Sequence, residues 1–139
     1  EMCIRDRYST RPYQHVLEPL FAYLMIAQKQ YEEGQYAGWY NVGPDECDCV
    51  TTGGLVNLFC RKWGNSLSWE NQAEKNAPHE ANFLKLDCSK IKSIFDWKPR
   101  WHIEDAIGMT VAWTKVWLKH GDIPAEMNRQ IRIYVEDKQ

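Results

Sequence analysis

The stretch RPYQHVLEPLFAYLMIAQKQYEEG, residues 11–34, carries the strongest helix signal in the chain. Pro19 suits the first turn of a helix, where no backbone N–H is needed. Large apolar side chains recur there at spacings of three and four residues: Leu17, Leu20, Phe21, Leu24 and Met25. This spacing predicts a helix from Glu18 to Glu33 with one buried stripe. We expect Gly34 to end it in the left-handed conformation.

The rest of the chain is also predicted to be mainly helical, with short extended segments between the helices. Periodicity and caps predict further helices over residues 51–63, 89–95, 104–120 and 125–136. Alternating or buried apolar runs predict extended segments at residues 39–42, 66–70 and 81–87. Strand and helix do not alternate over long enough stretches for a parallel sheet. The expected fold is therefore helix-rich with a few short strands.

Length and charge exclude several classes of protein. The chain has 139 residues and a net charge of −2, which gives no electrostatic reason to expect nucleic acid or an anionic membrane. No apolar run approaches the roughly 18 residues of a membrane span, and the start lacks the pattern of a signal peptide. Five cysteines without a secretion signal predict reduced thiols and a cytoplasmic protein.

Aromatic residues are unusually frequent. Seven tryptophans and seven tyrosines require a generous core or a partner that covers them. We expect the following rings to lie in the core, or on a surface that meets another domain: Trp39, Trp63, Trp97, Trp101, Trp113 and Trp117.

Two motifs suggest chemistry that their context does not support. Cys47 and Cys49 lie among acidic residues, but no second cysteine pair or histidine pair accompanies them, so we expect spare thiols and no metal. Tyr134 and Lys138 have the Y-x-x-x-K spacing of a proton-transfer pair, but Lys138 is the penultimate residue. We interpret this spacing as a coincidence. A glycine-rich phosphate-binding fingerprint is absent from the sequence.

Three blocks in order carry a resemblance to a known family. They are residues 11–34, GWYNVGPDE at 38–46, and PHEANFLKLDCSKIKSIFDWKPRWHIEDAIGMTVAWTKVW at 78–117. Together they resemble the C-terminal part of the CDP-glucose 4,6-dehydratase family, a branch of the extended short-chain dehydrogenases/reductases. On this resemblance, residues 9–139 form the C-terminal substrate-binding part. Residues 1–8 match no block of the family and are interpreted as extraneous or disordered.

The resemblance implies an α/β enzyme in two parts. An N-terminal Rossmann domain, missing here, would bind NAD and carry every catalytic residue, and the C-terminal part would close over the nucleotide sugar. The family oxidises the sugar at C4, eliminates water across C5 and C6, and returns the hydride to C6. The resemblance also implies a homodimer formed through helices of the missing domain. This chain alone is expected to be inactive.

Three residues follow from the resemblance as substrate-binding candidates. Arg11 corresponds to an arginine that sits over the substrate diphosphate, and a guanidinium suits paired phosphates. The alternative role for Arg11 is that of a surface or helix-capping arginine. His79 lies where related epimerases place a second phosphate-binding arginine, and it either binds phosphate there or only packs in its loop. Glu80 either holds a sugar hydroxyl or caps a turn. Two alternatives remain open: another nucleotide-sugar epimerase or dehydratase of the same superfamily, and a freestanding helical module that binds a protein partner.

Overall fold

Helices dominate the computed structural model, which describes residues 7–64, 67–71 and 83–137. In chain order the elements are β1 (Thr10–Arg11), α1 (Leu17–Glu32), β2 (Val50–Thr51), α2 (Thr52–Trp63), α3 (Ser89–Phe95), α4 (Ile103–Leu118) and α5 (Ile123–Glu136). Short 3₁₀ turns at Gly34–Tyr36 and Glu46–Asp48 complete the described part. No helix in these ranges is long and apolar enough to span a bilayer.

The helices predicted from periodicity are confirmed to within two residues at each end. Thr51 caps α2, because its Oγ1 accepts a hydrogen bond from Gly54 N at 3.0 Å. Asp122 caps α5 in the same way, through Ala125 N at 2.9 Å. The prediction for Gly34 is wrong: α1 ends at Glu32, and Gly34 begins a 3₁₀ turn. Among the described glycines, Gly64 adopts a positive φ, of 126°, where α2 ends.

The strand predictions are mostly wrong. Residues 39–42 and 67–70 form no strand, and the Asn41 side chain instead donates to Asp87 O at 3.0 Å. The described sheet is a two-stranded antiparallel pair in which Thr10 faces Thr51 and Arg11 faces Val50. From the third expected segment, Phe83 adds only an isolated parallel bridge to Thr10. Runs this short are fixed by tertiary pairing rather than by local alternation.

The buried stripe predicted for α1 is wrong for Leu20 and Leu24, whereas Met25 of the same stripe packs against the core. Leu20 is 47% exposed and Leu24 is 71% exposed, whereas Glu18 and Ala22 are completely buried. Ala22 packs in a cluster with Ile91 and Trp97. Helix α1 therefore turns its polar Glu18 and small Ala22 towards the core, and its leucine-rich side lies at the surface.

Glu18 explains this orientation, because its carboxylate collects donors from two distant segments. It accepts hydrogen bonds from Arg100 N at 3.0 Å and Trp101 N at 2.8 Å, and from the Tyr134 hydroxyl at 2.9 Å. Arg100 in turn donates to Tyr134 O at 2.7 Å and stacks over the Phe21 ring. A buried carboxylate thus joins α1, the 96–101 loop and α5.

The tryptophan rings divide between the core and the surface. Trp97 and Trp101 are buried, as expected for core residues. Trp39 is 92% exposed, and Trp117 also lies largely in solvent. Trp63 and Trp113 are half-buried. Trp39 and Trp117 are therefore not core residues of this chain.

Candidate functional site

Arg11 lies on β1, next to Thr10, which is at the centre of a small cluster of backbone pairs. β2 pairs with β1 on one side, and Leu84 N donates to Thr10 O at 3.1 Å. The Arg11 side chain is half-buried, and its Nη1 donates to Thr10 O at 3.0 Å. These contacts hold the base of the guanidinium side chain on a defined strand rather than on an open loop.

The N-terminus of α2 follows β2 directly, and helix N-termini often bind anions. Here the first amides are already used within the protein. Thr52 N donates to Ser9 O at 3.0 Å, Gly53 N to Arg7 O at 2.9 Å, and Gly54 N to Thr51 Oγ1. An anion at this cluster would therefore depend on the Arg11 side chain rather than on α2 amides.

The side chains of residues 13–15, which follow Arg11, contact other parts of the fold. The Tyr13 hydroxyl lies 3.1 Å from Thr52 Oγ1, and Gln14 Nε2 donates to Val42 O at 3.1 Å. The imidazole of His15 is packed edge-on against Trp101, with ring centroids 4.8 Å apart. Residues 13–15, which precede α1, thus anchor that helix to α2 and to the 96–101 loop.

Burial lowers the pKa of His15, which predicts a pH dependence of stability. His15 Nδ1 accepts from Leu17 N at 3.3 Å, so the neutral ring fits its site. As the pH falls below about 6.5 the unfolded chain takes up the proton first, so the free energy of unfolding decreases until the folded-state pKa is passed. When the pH is lowered from about 8 to about 5, we expect the urea midpoint of the wild-type chain to decrease more than that of a His15→Asn variant. An equal change in the urea midpoint of both proteins would contradict this expectation.

The other two substrate-binding candidates, His79 and Glu80, lie outside the described residues. The described chain resumes at Phe83, which pairs with Thr10 next to Arg11 in β1. Their placement relative to Arg11 therefore stays a prediction.

Tyr134, the first residue of the Y-x-x-x-K spacing, has a structural role. Tyr134 is buried, and its hydroxyl donates to the Glu18 carboxylate. Burial and this acidic partner strongly raise the pKa of Tyr134, which is the opposite of what a proton-transfer phenol requires. Lys138 lies outside the described residues.

A second group of polar side chains comes together at the start of α4. His102 Nδ1 lies 2.8 Å from Asp48 Oδ2, and the other oxygen of Asp48 accepts from Ile103 N at 2.9 Å. The Cys47 thiol is 3.7 Å from Asp48 Oδ2. The hydrogen bond and charge of Asp48 raise the pKa of His102. The sequence places Cys47 beside acidic residues but gives no sign that His102 joins them, because His102 lies 54 residues from Asp48.

An apolar surface runs along α1 and α5, which we call the α1–α5 face. Its exposed members are spaced four residues apart. They are Val16, just before α1, with Leu20 and Leu24 on α1, and Met127, Ile131 and Val135 on α5. A cavity of about 330 Å³ is lined by Leu20 of α1, Trp113 of α4 and Ile131 of α5, among others. An exposed apolar surface of this kind is typical of a protein interface.

The sequence is similar to that of a known enzyme that acts on a nucleotide sugar. The sequence is 40% identical over 136 residues to the CDP-glucose 4,6-dehydratase of Salmonella typhimurium strain LT2. The match covers 97% of this chain but only 38% of that enzyme. No family model matches the sequence. The resemblance predicted from the three sequence blocks is confirmed.

Proposed function

Because this chain is a homologue of CDP-glucose 4,6-dehydratase, we propose that it forms the C-terminal, nucleotide-sugar-binding part of such an enzyme. The observation that carries the proposal is 40% identity over nearly the whole chain. The chain spans 38% of the length of the relative, and we assign the rest of the enzyme's machinery to sequence beyond these residues. Within the described residues, the helices and two short strands are compatible with the C-terminal part of such an enzyme.

In the proposed reaction, the whole enzyme converts CDP-glucose to CDP-4-dehydro-6-deoxyglucose. NAD would take a hydride from C4 and return it at C6, after water is lost across C5 and C6. We assign the NAD site and the proton-transferring groups to the part outside this chain. The buried phenol of Tyr134, with its raised pKa, does not fit that chemistry. This chain would bind and orient the substrate.

Arg11 is the residue to which we assign the substrate diphosphate. A guanidinium offers a planar fork of donors to phosphate oxygens and keeps its charge at any physiological pH. Its half-burial on β1 reduces solvent screening of that charge. His79 and Glu80 are proposed to approach the same ligand, with His79 at the second phosphate and Glu80 at a sugar hydroxyl or in a turn.

We assign the α1–α5 face to contact with the remainder of the enzyme. A chain that carries this face uncovered should bind a hydrophobic dye and self-associate. We expect Leu24→Lys combined with Ile131→Lys to reduce dye fluorescence and shift the chain towards monomer in sedimentation velocity. Ile94→Lys, at an exposed position on α3, serves as the control and should change little. A wild-type chain that stays monomeric without binding dye would contradict the assignment.

Substrate class is tested with the complete enzyme that contains this chain. We expect turnover of CDP-glucose and little turnover of dTDP- or GDP-linked glucose. Preference for a different nucleotide would favour another epimerase or dehydratase of the superfamily. If the reading frame upstream encodes no glycine-rich dinucleotide fingerprint, the helical interaction module becomes the better account of the α1–α5 face.

A further inference from the structure

The group of side chains at the start of α4 contains three kinds of metal-binding atom. The Cys47 sulfur, an Asp48 carboxylate oxygen and a His102 ring nitrogen all lie within 4.8 Å of one another. Cys47 and Asp48 belong to the 3₁₀ turn at Glu46–Asp48, whereas His102 directly precedes α4. The fold therefore brings together donors that are far apart in the sequence.

Thiolate, imidazole and carboxylate together suit a divalent transition metal. Zn²⁺ binds all three types of donor, at about 2.3 Å from sulfur and about 2.0–2.2 Å from nitrogen or oxygen. Tetrahedral coordination with these bond lengths places the donors roughly 3–4 Å apart. The existing separations, 2.8 Å for His102 to Asp48 and 3.7 Å for Cys47 to Asp48, lie close to that range. Small side-chain rotations would be enough.

One member of the group is held firmly in place before any ion binds. The Asp48 side chain is buried, and Ile103 N donates to its Oδ1 at 2.9 Å. The second oxygen, Oδ2, is the one that faces both His102 and Cys47. Backbone support of this kind orients a carboxylate ligand in metal sites. Cys47 and His102 are exposed, so an ion can enter from solvent.

The surrounding charges also favour a cation. Besides Asp48, two carboxylates lie close by: Asp45 directly precedes the Glu46–Asp48 turn, and Asp105 lies in the first turn of α4. Lys92 pairs with Asp45 and offsets part of this negative potential. The buried Asp48 and the nearby Asp105 keep carboxylate charge beside the group, and negative charge favours a divalent cation.

We propose that Cys47, Asp48 and His102 bind a divalent transition-metal ion of the Zn²⁺ class, with water in the fourth position. The ion would join the Glu46–Asp48 turn to the start of α4. This site is separate from the proposed diphosphate contact at Arg11, and it does not depend on the proposed enzymatic function. The opposing interpretation is that Asp48 only caps α4 and pairs with His102.

Cobalt titration of the full 139-residue chain, without a polyhistidine tag, tests the proposal. We expect one Co²⁺ per chain with a thiolate-to-cobalt charge-transfer band, and displacement of that band by Zn²⁺. Cys47→Ser should abolish the band, and His102→Ala should weaken Co²⁺ binding at least about tenfold. Cys49→Ser and Cys60→Ser should leave both properties unchanged.

Circular dichroism of the same variants shows whether each still folds, so that loss of metal binding can be distinguished from loss of structure. Bound Zn²⁺ should also raise the urea midpoint of the wild-type chain and leave that of Cys47→Ser unchanged. Absence of a thiolate band in the folded wild-type chain would overturn the proposal. Equal Co²⁺ binding by wild type and Cys47→Ser would overturn it as well.

Discussion

Replacing Glu18 with alanine is expected to lower the free energy of unfolding by about 3–5 kcal/mol. The carboxylate is completely buried and accepts from Arg100 N, Trp101 N and the Tyr134 hydroxyl. Alanine would leave these donors buried without a partner, and each such group costs about 1–3 kcal/mol. Urea unfolding followed by the fluorescence of buried Trp97 and Trp101 measures the effect.

Two related substitutions separate the contributions. Glu18→Gln keeps the shape but points an NH₂ group at existing donors, so we expect a loss of similar size. Tyr134→Phe removes only one donor and should cost about 1 kcal/mol. The control is Glu32→Ala on the same helix, where an exposed carboxylate pairs with Lys29 at 3.0 Å, because exposed pairs contribute little. Equal losses for Glu18→Ala and Glu32→Ala would contradict the assigned role of Glu18.

The helices of this chain could be predicted from its sequence because their signals are local. Pro19, Thr51 and Gly64 mark helix ends through their own backbone preferences, which do not depend on the rest of the fold. The orientation of α1 could not be predicted in this way. A glutamate next to a leucine-rich stripe indicates a solvent-facing position until the backbone amides of Arg100 and Trp101 are known to lie opposite it.

Only part of the candidate site could be predicted from the sequence. Arg11 was identified through family resemblance, and the structure adds its place on β1 and the occupied amides of α2. The Asp48–His102 contact joins residues 54 positions apart, and neither residue has a local pattern that indicates the other. Contacts of this range depend on packing, whereas motif spacing reports only on neighbours along a single element.

Replacing Arg11 with alanine in the complete enzyme is expected to raise KM for CDP-glucose about 100-fold, or about 3 kcal/mol. Charge-assisted hydrogen bonds from a guanidinium to phosphate account for a loss of this size. Arg11→Lys keeps the charge without the planar fork and should fall between wild type and alanine. Steady-state kinetics at fixed ionic strength measures both variants. Arg132→Ala, at an exposed position on α5, is the matched control.

The central claim is that Arg11 binds the diphosphate of a sugar nucleotide. Calorimetric titration of the complete enzyme and its Arg11→Ala variant with CDP-glucose, CDP and cytidine tests that claim most directly. The account predicts a large loss of affinity for CDP-glucose and CDP, and an unchanged affinity for cytidine, which has no phosphates. Unchanged affinity for all three ligands, or an equal loss for all three, would contradict it.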